Sequence, residues 1–308
     1  AATMFENGEL DQYQPTGDYA IKFEKEAEEG KYQYMVTDYP GTIGLRFNFI
    51  NGGTSGLMSN VKIRKAISYS IDREEMIDAV YGRYNPAYSY VAPAITFNGS
   101  SYRSQVGEVI EDEYNEYVGD PDKIVALFQE GLDELGVETP IEDITLTYLT
   151  SGSTTEVQAE REYIQQSLEE TLGLTVELSV AGDNSLFIAD RNEGNYDFFL
   201  GGWYSDYNDP LDFLYTNYTD AYGMSFGGYS NTDYDALADQ LVGETDMDKR
   251  LDIYKQMEQI LLLDDCAFAP IYYATKQVLL QNWVKDYRTS SFGASAEFIW
   301  TYIDGKNQ

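Results

Sequence analysis

Hydrophobic and polar positions run through this chain in two rhythms, and the rhythm changes at residues that cap or break helices. From Asn60 onward Val61, Ile63, Ala66 and Ile67 form a helical stripe. Asp72 with Glu75 three residues on reads as a capping box for a second helix, which Gly82 closes. Asp120-Pro121 supplies an N-cap followed by proline at the first helical position, opening a helix to about residue 135 with Ile124, Leu127, Phe128 and Leu132 on one side. A strand over 144–149, a helix over 155–172 and a strand over 175–180 follow. A strand-helix-strand unit of that size implies parallel pairing with a right-handed crossover.

The flanking regions are less regular. A helix is expected over 18–29 with a lean apolar face of Tyr19, Ile21 and Phe23, and residues 45–49 alternate like a strand before the loop 51–56, a natural crossing point between lobes. Helices over 231–241 and 246–263 follow, the second with Leu251, Tyr254, Met257, Ile260 and Leu261 on one face. Strands are expected over 267–273, 276–281 and 297–303. The chain has no internal repeat or heptad array, so the pattern describes an α/β protein.

One stretch carries candidate chemistry. Residues 196–203 read as a buried strand whose paired glycines, Gly201 and Gly202, let another backbone come close. Asp209-Pro210 then stops extended pairing. That layout places Asp206 at the end of a strand and between the rings of Trp203, Tyr204 and Tyr207, a seat for a cationic amine.

Composition narrows the partners. The chain has 308 residues, 43% of them hydrophobic, enough to fill a real core. Twenty Lys and Arg stand against 53 Asp and Glu, a net charge of −33, which repels nucleic acid and anionic membrane surfaces. The absence of histidine removes the usual proton shuttle and the commonest metal ligand, and the single Cys266 reads as a buried, inert thiol. No metal or cofactor is therefore expected. No stretch reaches the roughly 18 to 20 uninterrupted apolar residues of a membrane span, and the first residues do not read as a signal peptide. The 28 tyrosines, 14 phenylalanines and 3 tryptophans suit a surface that accepts varied ligand side chains while its rim stays wet.

Four stretches taken in order resemble one family: Asn60 to Arg73, Pro86-Ala87, Trp203 to Pro210, and Tyr229 to Asp235. Arg250, the helix after it and Ala269-Pro270-Ile271-Tyr272 extend the match. The resemblance is to the oligopeptide- and dipeptide-binding proteins of bacterial ABC-type importers, the family 5 extracellular solute-binding proteins. It implies a periplasmic-binding-protein-like fold (type II, cluster C): a C-terminal lobe with a mixed sheet flanked by helices, here with remnants of the first lobe. The division expected is 1–47 for the first-lobe remnant and crossing strand, 48–282 for the C-terminal lobe, and 283–308 for the return segment.

The same resemblance implies an extended oligopeptide held by backbone pairing to a strand, with Asp206 on its α-ammonium. Gly202, Trp203 and Tyr204 match the pairing strand, and Trp203, Tyr207 and Phe226 contribute side-chain contacts. Some relatives carry a cationic residue three positions before the tryptophan for the peptide carboxylate; Leu200 stands there in this chain. Permease subunits of the importer are the implied partners, and the implied place is outside the cell, as a lipid-anchored or periplasmic protein. Because the relatives are longer, the chain reads as a C-terminal fragment, with any signal or lipid-anchor cysteine in the part that precedes it.

Other solutes on the same fold, such as an oligosaccharide or a metal chelate, and a peptide-sensing role remain as alternatives. A glycosidase-like pair of Asp206 with Asp209 or Asp212 is the enzymatic alternative, though among 53 acidic residues such spacings arise by chance. Acidic runs at Glu111 to Glu113 and at Asp233 with Asp235 lack the spacing of a calcium loop.

Overall fold

The computed structural model describes residues 1–219, 226–292 and 296–306, apart from the side chains of Asp18 and Phe226. Its centre is a seven-stranded mixed sheet. In chain order the strands are β1 (Gln12–Tyr13), β2 (Gln33–Phe47), β3 (Asn85–Pro86), β4 (Thr145–Ser151), β5 (Thr175–Ala181), β6 (Phe198–Tyr204) and β7 (Phe268–Leu280). They lie in the order β1-β7-β2-β6-β4-β5, with β3 also paired to β7.

The α/β heart follows the sequence pattern. β4 and β5 pair in parallel from Thr145 opposite Thr175 to Ser151 opposite Ala181. The helix Thr155–Leu172 crosses between them; Thr154 caps it by accepting the Val157 N–H at 3.3 Å, and Gly173 at φ +76° ends it. Ile164 and Leu168 bury its inner face. On the neighbouring helix Pro121–Leu135, Asp120 accepts the Lys123 N–H, and Ile124, Phe128 and Leu132 are buried. At the second expected cap, Asp72 accepts the Glu75 N–H at 3.0 Å, while Glu75 receives the Tyr163 hydroxyl instead of reaching back. Gly82, at φ +60°, closes that helix as expected.

Four features differ from the sequence expectation. The strand expected at 45–49 is the end of a 15-residue strand, β2, whose earlier part Pro40, Gly41 and Gly44 disguise. The strands expected over 267–273 and 276–281 are one strand, β7; β2 absorbs the irregularity in a register shift between Asp38 and Thr42. A last strand over 297–303 reduces to Tyr302–Ile303, paired with Val284–Lys285, and one bridge from Glu297 to Arg288. Asn184–Glu193 forms a helix that periodicity did not signal, because none of its residues is buried.

The main core lies where β2 from Gly44 on, β4, β6 and the start of β7 meet the helices, and includes Leu45, Phe47, Tyr148, Phe198, Phe268 and Ile271. Among the described residues three small clusters stand apart from it, the smallest being Leu149, Tyr196 and Phe199 beside the start of β6; two involve the chain ends. One joins Ala2, Phe5, Phe23, Tyr32 and Leu279, and the other Val278, Leu280, Val284 and Tyr287.

Candidate functional site

The site grows out of β6. On one edge β6 is antiparallel to β2 along its whole length, from Phe47 opposite Phe198 to Gly41 opposite Tyr204. On the other edge it meets β4 only at Phe198 and Phe199. From Leu200 to Tyr204 that edge has no strand partner among the described residues. Unpaired backbone of this kind is a template for another strand.

Sequence fixes this local geometry through glycine. A Cβ on Gly202 would run into the Thr42 carbonyl oxygen and stand 2.7 Å from Ile43 Cδ1, so Gly202 permits close approach of β2. The backbone drawn close by this glycine is the chain's own. A Cβ on Gly201 would meet the Phe199 ring at 2.8 Å. Buried Asp197, just ahead of β6, accepts Ser55 N, Ser55 Oγ and Thr147 N at 2.7–2.9 Å, fixing where the strand starts. Burial raises the pKa of that carboxyl.

After Tyr204 the chain turns through a loop held at several points. Ser205 N–H donates to the Pro40 carbonyl at 2.7 Å, and Ser205 Oγ to the Tyr207 carbonyl at 2.6 Å. Asn208 donates to Thr96 Oγ1 at 2.6 Å and accepts the Thr96 N–H at 2.8 Å. Asp209 caps the short helix Pro210–Leu214 through Leu211 N at 2.9 Å and accepts the Tyr254 hydroxyl at 2.8 Å, with Arg250 Nη2 at 4.0 Å. Asp212 accepts both Trp203 Nε1–H at 2.8 Å and the Asp206 N–H at 2.9 Å.

Of the three loop carboxylates, Asp206 alone makes no hydrogen bond or ion pair among the described residues, and it is exposed. Asp209 and Asp212 both accept internal donors. Tyr207 is 49% exposed. Partial burial, then the charges of Asp212, Asp209 and Asp206, raise its pKa. Tyr204 is 47% exposed and its ring lies across Gly41, 5.6 Å from the Tyr39 ring.

The structure thus brings Gly202, Trp203, Tyr204, Asp206 and Tyr207 to one strand end. The Phe226 side chain lies outside the described residues. Leu200, at the place where some relatives are cationic, pairs with Leu45 and packs against the core. Beside the loop a recess of about 410 Å³ is lined by Thr96, Phe97, Asn208, Asp209, Met247 and Arg250, among others. Sequence reasoning missed the roles of Asp212, Asn208 and Thr96. An acid in the first turn after Asp209-Pro210 was the one available signal for Asp212.

Among the described residues no group of three or more metal-ligating side chains comes together, and no helix is long and apolar enough to cross a membrane.

A mixed sheet of this topology belongs to a known class. Residues 1–225 match the model of the bacterial extracellular solute-binding proteins, family 5, and the chain belongs to that family. Its fold is that of the periplasmic peptide-binding proteins. Among curated relatives it is 29% identical to the dipeptide-binding protein DppE of Bacillus subtilis, over 91% of this chain and 47% of that protein. It is 31% identical to the oligopeptide-binding protein OppA of the same organism, over 74% of this chain and 39% of that protein. The structure of Listeria monocytogenes OppA bound to peptide superposes with a TM-score of 0.75 at 28% identity, covering 98% of this chain and 55% of that one. The chain therefore spans less than half the length of the curated relatives described here.

Proposed function

We propose that this chain is the C-terminal α/β half of the peptide-binding component of an ABC-type importer, working outside the cell with permease subunits. The observation that carries the reading is the free edge of β6 from Leu200 to Tyr204, ending at the exposed, unpaired Asp206 carboxylate. An extended peptide adds to that edge with its α-ammonium on Asp206, so it runs antiparallel to β6. Main-chain pairing supplies affinity with little regard for side chains. Trp203 and Tyr207 flank the first residues, and the family's recognition of solutes rather than turnover makes the chain a binding module.

The proposed lobe division keeps 48–282 as the C-terminal lobe, with 1–47 and 283–308 belonging to the first. The separation of the cluster around Phe5, Phe23 and Tyr32 and of the one around Val284 and Tyr287 from the main core supports a boundary near those segments, which also draw in Val278, Leu279 and Leu280 from the end of β7. So does the run Phe298, Ile299, Trp300, Tyr302 and Ile303, each about half or more exposed, as a face that a larger first lobe would cover. Lipid anchoring of the whole protein belongs to the same proposal.

The test is Asp206→Asn in the full-length protein, read by calorimetric or NMR titration with peptides carrying free or acetylated N-termini. A charge-assisted hydrogen bond contributes about 1.5–3 kcal/mol, so the substitution weakens free peptides roughly 10- to 150-fold. Acetylated peptides change little. Equal loss for both removes the amine assignment. The chain alone binds peptide weakly or not at all, because closure of two lobes buries the ligand in such traps; submicromolar affinity would contradict that.

A further inference from the structure

We propose that Asp212 is the positioning residue of the amine seat, aiming the Asp206 carboxylate and the Trp203 indole together at the ligand's α-ammonium. This rests on the peptide reading given above and adds to it a residue outside the Trp203-to-Asp206 segment. Asp212 sits in the first turn of Pro210–Leu214 and is 8% exposed. A single oxygen, Oδ2, takes both the Trp203 Nε1–H at 2.8 Å and the Asp206 backbone N–H at 2.9 Å.

Those two donors stand on either side of the turn out of β6. One buried acceptor therefore fixes the end of the open strand and the residue whose carboxylate is free. The ordinary duty of an acid at this place, satisfying the helix's own first N–H groups, falls to Asp209 through Leu211 N. Asp212 is left to serve the loop. Arg250 is turned toward Asp209 and Tyr254. Neither Asp206 nor Asp212 has a lysine or arginine in an ion pair among the described residues. The incoming ammonium meets one negative group directly and a second behind the same residue's backbone.

The experiment compares Asp212→Asn with Asp212→Ala. Asparagine keeps a carbonyl oxygen able to accept both N–H groups, and alanine keeps none. The probes are trialanine and N-acetyl-trialanine, titrated into isotope-labelled chain and followed by NMR. Wild type prefers the free peptide by about tenfold or more. The asparagine variant retains most of that preference, and the alanine variant drops to about twofold with its affinity for the acetylated peptide nearly unchanged. A merely structural role would weaken both peptides alike, so equal loss overturns the proposal, as does an undiminished preference in the alanine variant.

A ligand-free arm keeps the two readings separable. The Trp203 indole N–H and the Asp206 amide exchange with water slowly in wild type and the asparagine variant, and at least about tenfold faster in the alanine variant. Unchanged exchange overturns the proposal. Should the wild-type chain take neither peptide, the same titrations of the full-length, two-lobed protein decide; failure there too fells the peptide reading, and the exchange arm decides the positioning role of Asp212 on its own.

Discussion

Replacing Glu160 by glutamine should stabilise the protein at alkaline pH and destabilise it by about 1 kcal/mol at pH 4.5. Glu160 projects from Thr155–Leu172 into a cluster of rings, where Tyr81 donates its hydroxyl to the carboxyl. Tyr81, Tyr84 and Tyr272 lie with centroids 4.5–4.9 Å apart, and Tyr148 and Tyr204 also sense the Glu160 charge. The adjacent cation, Arg83, is engaged by both oxygens of Glu156, at 2.5 and 2.7 Å, and stacks 4.5 Å over Tyr84. It leaves Glu160 uncompensated. Burial pushes the carboxyl from 4.5 up to about 7; the Tyr81 hydrogen bond opposes this, and the like charge of Glu156 adds to it.

The sign follows from proton counts. Between pH 4.5 and about 7 the folded state holds a proton that the unfolded chain has released, so stability falls as pH rises through that window. The contribution is fully present below about 4.5 and lost above about 7. A shift of that size corresponds to about 3 kcal/mol at most. Glutamine removes the charge and can still accept from Tyr81, but it brings two N–H groups that need partners, at about 1 kcal/mol or more. The expected gain at pH 8 is therefore about 1–2 kcal/mol. Urea unfolding of wild type and variant at pH 4.5, 6 and 8, followed by tryptophan fluorescence, measures the difference and cancels the other titrating acids. A difference independent of pH, or one that grows toward acid, refutes the reasoning.

Two further predictions concern the frame of the site. Glu258 is fully buried; it pairs with Arg103 and accepts Tyr90 N at 3.2 Å, Val91 N at 3.0 Å and the Tyr102 hydroxyl at 3.1 Å. Glu258→Ala strands the Arg103 charge and should cost about 3–5 kcal/mol in urea unfolding, whereas Glu258→Leu with Arg103→Met should recover much of it; equal losses for the two would refute this. Gly202→Ala should destabilise by about 1–3 kcal/mol or more and accelerate hydrogen exchange along β2 and β6. Gly201→Ala should cost less, because the Phe199 ring it meets can rotate while the Thr42 backbone cannot; the opposite ranking of urea midpoints would sink the argument.

What sequence reasoning captured was local. The unit from Thr145 to Ala181 was legible because its helix has caps, a buried stripe and a terminal glycine, all within one stretch. The early part of β2 was not, since Pro40, Gly41 and Gly44 break its pattern and its partner β7 lies more than 200 residues away. The residue types at the site were legible: Asp206 stands free beside Trp203 and Tyr207, as the stretch suggested. The open edge was not, because it exists only where β4 leaves β6 after Leu149. Asp212 was invisible for a similar reason: a carboxylate shared by two donors is a fact of the turn, not of the spacing.

The loop is tied down before any ligand arrives. Ser205 is held by β2 at Pro40, Asn208 by Thr96, Asp209 by Tyr254, and Trp203 with Asp206 by Asp212. Thr96 lies in a segment bracketed by Tyr90, Val91, Tyr102 and Arg103, all of which converge on Glu258, so a buried carboxylate far from the edge helps place the loop. Each tie spends a polar group that would otherwise compete for a ligand, and among the described residues the Asp206 carboxylate and the β6 edge stay open beside the half-exposed rings of Tyr204 and Tyr207. Ordering the loop in advance lowers the entropic cost of capture. On the proposed peptide reading, Asp206 and the β6 edge recognise only an ammonium and a backbone, and the recess beside Asn208 and Arg250 is the place where side chains of the ligand would be told apart.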